Sequence, residues 1–219
     1  MIEEVAEMLI KYKVKATWFA THRSKAVDEL EREDLFEIGI HPNFYPNSTH
    51  GETEDEVLTY MKSLFPDAIS MRTHGLYSNT RFLHKCAKLG IKIDVSVLID
   101  RGKNLQVFKM FFEDGSFILR APFLWEDDFE MNKPTPCWSV NKIILEINGL
   151  KIFDFHPVHI CLNTPNMKVY SSLKGKINDK RSLLDTIIVN NQHGPRTAFE
   201  ELIKSGVEFS LIKDLIRGV

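Results

Sequence analysis

Apolar side chains at Ile2, Val5, Ala6, Leu9 and Ile10 recur with the 3.6-residue period, so the chain is expected to open with an amphipathic helix. From Val14 to Ala20 the apolar positions run almost without interruption, the pattern of a buried strand. Ser24 to Glu33 reads as a helix and Phe36 to Ile40 as a short apolar strand. His41 to Gly51, rich in Pro, Asn, Ser and Gly, reads as a long loop. Thr53 and Glu56 form a capping-box pattern ahead of Val57, Leu58, Met61 and Leu64 on one face, which predicts another helix. A strand around Ile69 to Arg72, a helix from about Asn79 to Leu89 closed by Gly90, and a strand from Ile91 to Leu98 continue the alternation. Farther on, Phe117 to Leu124 and Lys151 to Phe155 read as strands, and Ile143 to Lys151 as the place for a hairpin turning at Asn148-Gly149. The Lys-rich stretch from Lys168 to Arg181 reads as a solvated loop; Gly194-Pro195 opens a last helix, and Val207 to Leu211 follows as a strand.

Repeated strand–helix units with apolar strands imply a largely parallel sheet covered by helices. Six or seven strands suit a closed barrel, an incomplete barrel or an open doubly wound sheet, and the pattern alone does not choose. No Gly-x-Gly-x-x-Gly follows the early strands and there is no Gly-Lys-Ser/Thr, so the main signal of the nucleotide-binding versions of this architecture is missing. A chain of 219 residues that is 43% apolar fits one α/β domain spanning residues 1–219. Basic and acidic residues nearly cancel, leaving a net charge of -2, which offers no footprint for nucleic acid or an anionic membrane. The apolar runs are only a few residues long and the N-terminus mixes charge with apolar residues, so neither a signal peptide nor a membrane span is expected. Cys86, Cys137 and Cys161 are odd in number and widely spaced, which suits buried thiols in a reducing cytoplasm better than a disulfide framework.

In parallel α/β folds functional groups collect just past the C-terminal ends of strands, and here histidines occupy those places. His22 follows KATWFAT, His41 follows FEIGI, His74 follows ISMRT, and His156 and His159 follow KIFDF, so a shared polar site is expected. His41 and His50 bracket the loop HPNFYPNSTHG, which could fold back so that both imidazoles face one divalent metal, zinc suiting nitrogen ligands; the alternative is a histidine that braces the loop. Strand alternation puts Asp154 and His156 on the same side, where the carboxylate would hold the ring for general-acid work, or the two would form a satisfied core pair. Arg72 would orient a carboxylate or steady a developing oxyanion, unless it serves an ordinary ion pair. Trp125, followed by Glu126, Asp127 and Asp128, is a candidate wall for stacking a sugar ring; the alternative is a partly buried core aromatic beside a solvated acidic run.

Taken in order, KATWFATH, EIGIHPNF, MRTHG, RAPFLW and FDFHPVHI resemble the successive motifs of the polysaccharide deacetylase superfamily, carbohydrate esterase family four, and most closely its cytoplasmic surface-glycan members. The resemblance implies an incomplete (β/α) barrel and a divalent metal, zinc by preference, that activates water to remove an N- or O-acetyl group. The substrate would be an acetylated sugar, glycan or nucleotide-sugar. By the same resemblance His41 is the first metal-binding histidine, with His50 standing in for a second that the family places four residues on, where this chain has Tyr45. Arg72 corresponds to the third-motif arginine, Trp125 to the fourth-motif aromatic and His156 to the final general acid, with His22, His74 and His159 left to contact substrate. The third motif departs from the pattern, having Thr73-His74-Gly75 where a proline is expected.

Family members open with a strand ending in two aspartates, a general base and a metal ligand, whereas this sequence starts at the following helix. The expectation is therefore an N-terminally shortened chain lacking the first strand, with an unpaired sheet edge. Loss of those aspartates leaves two function classes open. One is a deacetylase competent in full-length form; the other is an inactive deacetylase-like protein that binds a glycan or a partner. A metal-dependent phosphoesterase is a third reading, disfavoured because such sites want more carboxylates.

Overall fold

In the computed structural model, strand β1 (Ala16–Ala20) pairs in parallel with β2 (Phe36–Ile40) from Ala16 opposite Phe36 to Ala20 opposite Ile40. The described residues are 1–140, 147–175 and 192–218, and they divide into two compact units, each assembled from three stretches of chain.

The first unit comprises Lys13–Leu98, Leu105–Phe123 and Phe209–Val219. Among its described residues, six strands form one sheet in the order β1-β2-β3-β4-β6-β5, with β3 Ser70–Met71, β4 Ile93–Asp94, β5 Phe108–Phe111 and β6 Phe117–Arg120. All neighbours are parallel except β5, which runs antiparallel to β6. β1 and β5 are its two edges, so the sheet does not close, as expected of an incomplete barrel. The expected strand from Ile91 to Leu98 narrows to β4 plus a single bridge between Leu98 and Phe123. β6 falls within the strand read from Phe117 to Leu124, and β5, hairpinned to it, is an addition to the predicted elements.

Three helices in this unit start where their polar caps dictate: α2 (Lys25–Leu30) at Ser24, α3 (Glu54–Leu64) at the Thr53–Glu56 capping box, and α4 (Thr80–Lys88) at Asn79, whose side chain accepts from the Phe82 N–H at 2.9 Å. Gly90, at φ 84°, takes the left-handed turn that closes α4. Their apolar faces supply Val27, Leu58, Met61, Phe82 and Leu83 to a core shared with Ile40, Met71 and Ile118 from the sheet. Each such fully buried Leu or Phe contributes about 1.5–3 kcal/mol.

Val207 to Leu211 does not form the expected strand. Side-chain acceptors replace a ladder there. The Leu211 N–H meets the Asp214 carboxylate at 3.3 Å, Ile212 N–H donates to Thr17 Oγ1 at 2.9 Å, and Lys213 N–H donates to Glu37 Oε2 at 2.8 Å. Buried Glu37 also accepts from Thr17 Oγ1 at 2.8 Å and Ser70 Oγ at 2.7 Å, and a 3-10 turn, Ile212–Gly218, ends the unit.

The second unit comprises Met1–Tyr12, Ile99–Asn104 and Leu124–Glu208. Its opening helix α1 (Ile2–Lys11) buries Val5, Ala6 and Leu9, as the period predicts. Strand β7 (Trp125–Glu126) leads directly into helix α5 (Asp127–Met131) and pairs in parallel with β8 (Phe153–Asp154), which is followed by α6 (Pro157–Leu162). Helix α7 (Met167–Lys174), capped by Asn166, replaces the first half of the predicted Lys-rich loop, and α8 (Pro195–Ile203) begins at Gly194-Pro195 as read from sequence. The first part of the predicted hairpin, residues 143–146, and the end of the Lys-rich segment, residues 176–181, lie outside the described residues. No helix among the described residues is long and apolar enough to cross a membrane.

Candidate active site

The second unit places a buried carboxylate against two imidazoles. Asp127 has no exposed surface, standing at the junction of β7 and α5. His156 ends the β8 segment, and Pro157 after it fixes the first turn of α6, so His159 comes round one turn later on the same face. Asp127 Oδ2 accepts the His156 backbone N–H at 2.7 Å, and its Oδ1 lies 2.7 Å from His156 Nδ1 and 3.1 Å from His159 Nδ1. Burial opposes charge on both partners, but pairing prevails. It holds the Asp127 carboxyl well below the usual range and pushes His156 up to about 10, with Asp154 and Asp128 adding to the rise. About a third of the His156 side chain remains exposed, whereas His159 is buried, its ring edge-on to Tyr170 at 4.8 Å.

The carboxylate bonded to His156 Nδ1 is Asp127, because the chain after β7 turns straight into a helix and directs Asp127 at the imidazole, while Asp154 lies close by and its charge also raises the His156 pKa. Two other sequence expectations in this unit are corrected. Trp125 is fully buried between Trp138 and Phe155, at 6.1 and 4.7 Å, and offers no ring face to a sugar. His159, also buried, is turned to Asp127 instead of outward to substrate. The acidic run beside Trp125 is not solvated either, since Glu126 and Asp127 are buried. Asp127 could have been found from sequence by the rule that flagged the histidines: with Glu126 it follows the apolar run FLW at a strand end.

In the first unit Arg72, just past β3, is buried and lies 5.3 Å over the Phe123 ring. Close in electrostatic terms is Asp94, fully buried at the end of β4, whose Oδ2 is 2.7 Å from Arg120 Nε. Burial pushes the Asp94 carboxyl up, against Arg120, Ser96 and Arg72. His41 Nε2 lies 3.2 Å from His74 Nδ1, both residues past strand ends, and Tyr45 stands edge-on to His74. His22 contacts Thr21 at 3.0 Å and Thr49 at 3.1 Å through its two nitrogens.

The expected His41–His50 chelate is not assembled. His50 is buried, its Nδ1 accepts the Asn43 N–H at 3.1 Å, and it also bonds to the Thr21 backbone, so it braces the loop. Burial, then neighbouring His22, lower its pKa, and the Thr21 bond only partly offsets them.

The description "WbmS-like: Polysaccharide deacetylase" belongs to the family whose signature matches residues 1–174. The chain belongs to this polysaccharide deacetylase family. A solved structure from Bordetella bronchiseptica, described as a polysaccharide deacetylase involved in O-antigen biosynthesis, is similar at 27% identity and a TM-score of 0.79, over 94% of this chain and 85% of that one. A polysaccharide deacetylase structure from Mycobacterium smegmatis is similar at 12% identity and a TM-score of 0.50, over 96% of this chain and 79% of that one. A 4-alpha-glucanotransferase structure from Thermococcus litoralis shares 10% identity and a TM-score of 0.54, over 100% of this chain and 34% of that one. The last two show likeness of fold alone. A comparison with curated proteins gave no match.

Two groups of side chains among the described residues of this deacetylase-family chain are close enough to hold a divalent cation, Asp127–His156–His159 and Glu126–Asp154–His156, with one ligand atom of each residue within 4.8 Å of the others. Imidazole and carboxylate are donors that zinc and similar ions accept. Both groups share His156, so a cation bound through one of its nitrogens excludes the doubly protonated imidazolium but leaves a proton on the other nitrogen. The His41–His74 pair meets a different geometric test. Two nitrogens at about 2.0–2.1 Å from one tetrahedral zinc stand about 3.3 Å apart, and here the separation is 3.2 Å.

Proposed function

We propose that this chain removes an acetyl group from an N- or O-acetylated sugar, a glycan or nucleotide-sugar of surface-polysaccharide biosynthesis, with His156 as proton donor to the leaving amine or alkoxide. The observation that carries the reading is the buried Asp127 carboxylate clamped on the backbone N–H and Nδ1 of a partly exposed His156. That clamp keeps a proton on Nδ1, sets the ring's orientation and stabilises the imidazolium, leaving Nε2 to deliver a proton. A group that holds its proton to about pH 10 is matched to a leaving amine or alkoxide, both strong bases. A divalent cation would polarise the acetyl carbonyl and make bound water nucleophilic at neutral pH. Within the unit that carries His156, Glu126 and Asp154 are among the residues that could hold such an ion; His41 and His74, in the other unit, are a separate pair of nitrogens that zinc would suit. Similarity to the Bordetella bronchiseptica protein supports a place in surface-glycan synthesis. The three free thiols, Cys86, Cys137 and Cys161, support a cytoplasmic setting.

Acetate release from a panel of N-acetylated and O-acetylated sugars, glycans and nucleotide-sugars tests the reading. With added zinc, cobalt or manganese, at least one substrate should yield acetate, and His156→Ala should slow that release about 100-fold or more. No acetate from any of them would reject it. Glycan binding without acetate would put a non-catalytic binding protein in its place.

A further inference from the structure

We propose that His159 is a positioning residue for the acid, acting on His156 through Asp127; this rests on the deacetylase reading above. Among the described residues Asp127 accepts two N–H donors, both from His156 itself at 2.7 Å each. Donors from a single residue leave the carboxylate and that residue free to shift together. His159 Nδ1, at 3.1 Å from the same Oδ1, approaches from the next turn of α6 and ties Asp127 to the body of that helix. The helix is itself packed in the unit, with Ile160, Cys161 and Leu162 buried. The His159 ring is fixed in turn by an edge-on contact with Tyr170 at 4.8 Å and a tilted contact with the His156 ring at 5.0 Å. Being buried, His159 has no surface for substrate, so its chemistry is spent on Asp127. A carboxylate held from two directions aims the His156 ring at one place, and misplacement of a reacting group by about 1 Å costs up to 100-fold in rate.

The test separates an acid-dependent from an acid-independent reaction. An acetylated sugar needs a proton on its leaving group, whereas an aryl acetate releases a phenolate that needs none. His159→Phe keeps a ring and removes the nitrogen that faces Asp127 at 3.1 Å; kcat on the acetylated sugar should fall about tenfold at unchanged KM, while aryl acetate hydrolysis stays within about twofold. His159→Asn, whose amide nitrogen stands roughly where Nδ1 does, should restore most of the lost rate. Independently of turnover, the His156 Nδ1–H resonance should be sharp in the wild-type and His159→Asn chains and broadened or lost in His159→Phe. Equal loss on both substrates, no rescue by Asn, or an unchanged ring-proton signal in His159→Phe would overturn the proposal. If the wild-type chain cleaves neither substrate, the deacetylase reading fails alone, and the resonance still decides whether His159 positions the pair.

Discussion

Replacing Asp127 by Asn keeps the side chain's shape and removes the charge that His156 answers. In the folded chain His156 rises from its ordinary 6.5 to about 10, which at about 1.36 kcal/mol per pH unit corresponds to about 4–5 kcal/mol of preference for the charged ring. A third of the His156 side chain is exposed, so solvent screening reduces the usable part to about 2 kcal/mol. The depressed Asp127 carboxyl reports the same interaction and adds nothing further. Since the fold raises the pKa of His156, the stabilisation is complete below pH 6.5 and is lost as the pH climbs through about 10. With Asn at position 127 burial acts unopposed by that carboxylate, so His156 should titrate well below its wild-type position.

Urea unfolding of both chains at pH 6 and pH 10, in chelator, measures the effect. Asp127→Asn should cost about 2 kcal/mol at pH 6 and almost nothing at pH 10, and NMR titration of the His156 ring should follow the fall in pKa. A stability difference that is the same at both pH values would refute the reasoning. So would a His156 titration unmoved by the substitution.

Two other outcomes follow from the loop and the sheet. Elemental analysis after zinc loading should find the metal lost from His41→Ala and His74→Ala but kept in His50→Ala, which instead loses about 1–3 kcal/mol of stability because the Asn43 N–H is left without its acceptor. Glu37→Leu should destabilise by about 1–3 kcal/mol, and hydrogen exchange at Lys213 should speed up, since no acceptor remains for the bonds now donated by Thr17, Ser70 and Lys213.

Local chemistry was legible in the chain itself. The period of Val5, Ala6 and Leu9, the capping signals at Ser24, Thr53 and Asn79, and the strand at Phe36–Ile40 depend on neighbours a few residues apart, and each stands where the pattern puts it. That histidines follow strand ends was legible too: His41 follows β2 and His156 follows β8. Partners were not. Whether His41 meets His50 or His74 depends on how a ten-residue loop folds back, and spacing says nothing about which imidazole nitrogen a backbone N–H will claim. Asp154, two residues before His156, was legible as a neighbour, but the carboxylate bonded to the ring comes from residue 127, delivered by the pairing of β7 with β8. Burial of Trp125 and of the acids beside it was decided the same way, by the packing of Trp138 and Phe155 around β7. Periodicity and capping act over a few residues and are written in order along the chain; contacts between side chains far apart in sequence exist only once the sheet has brought them together.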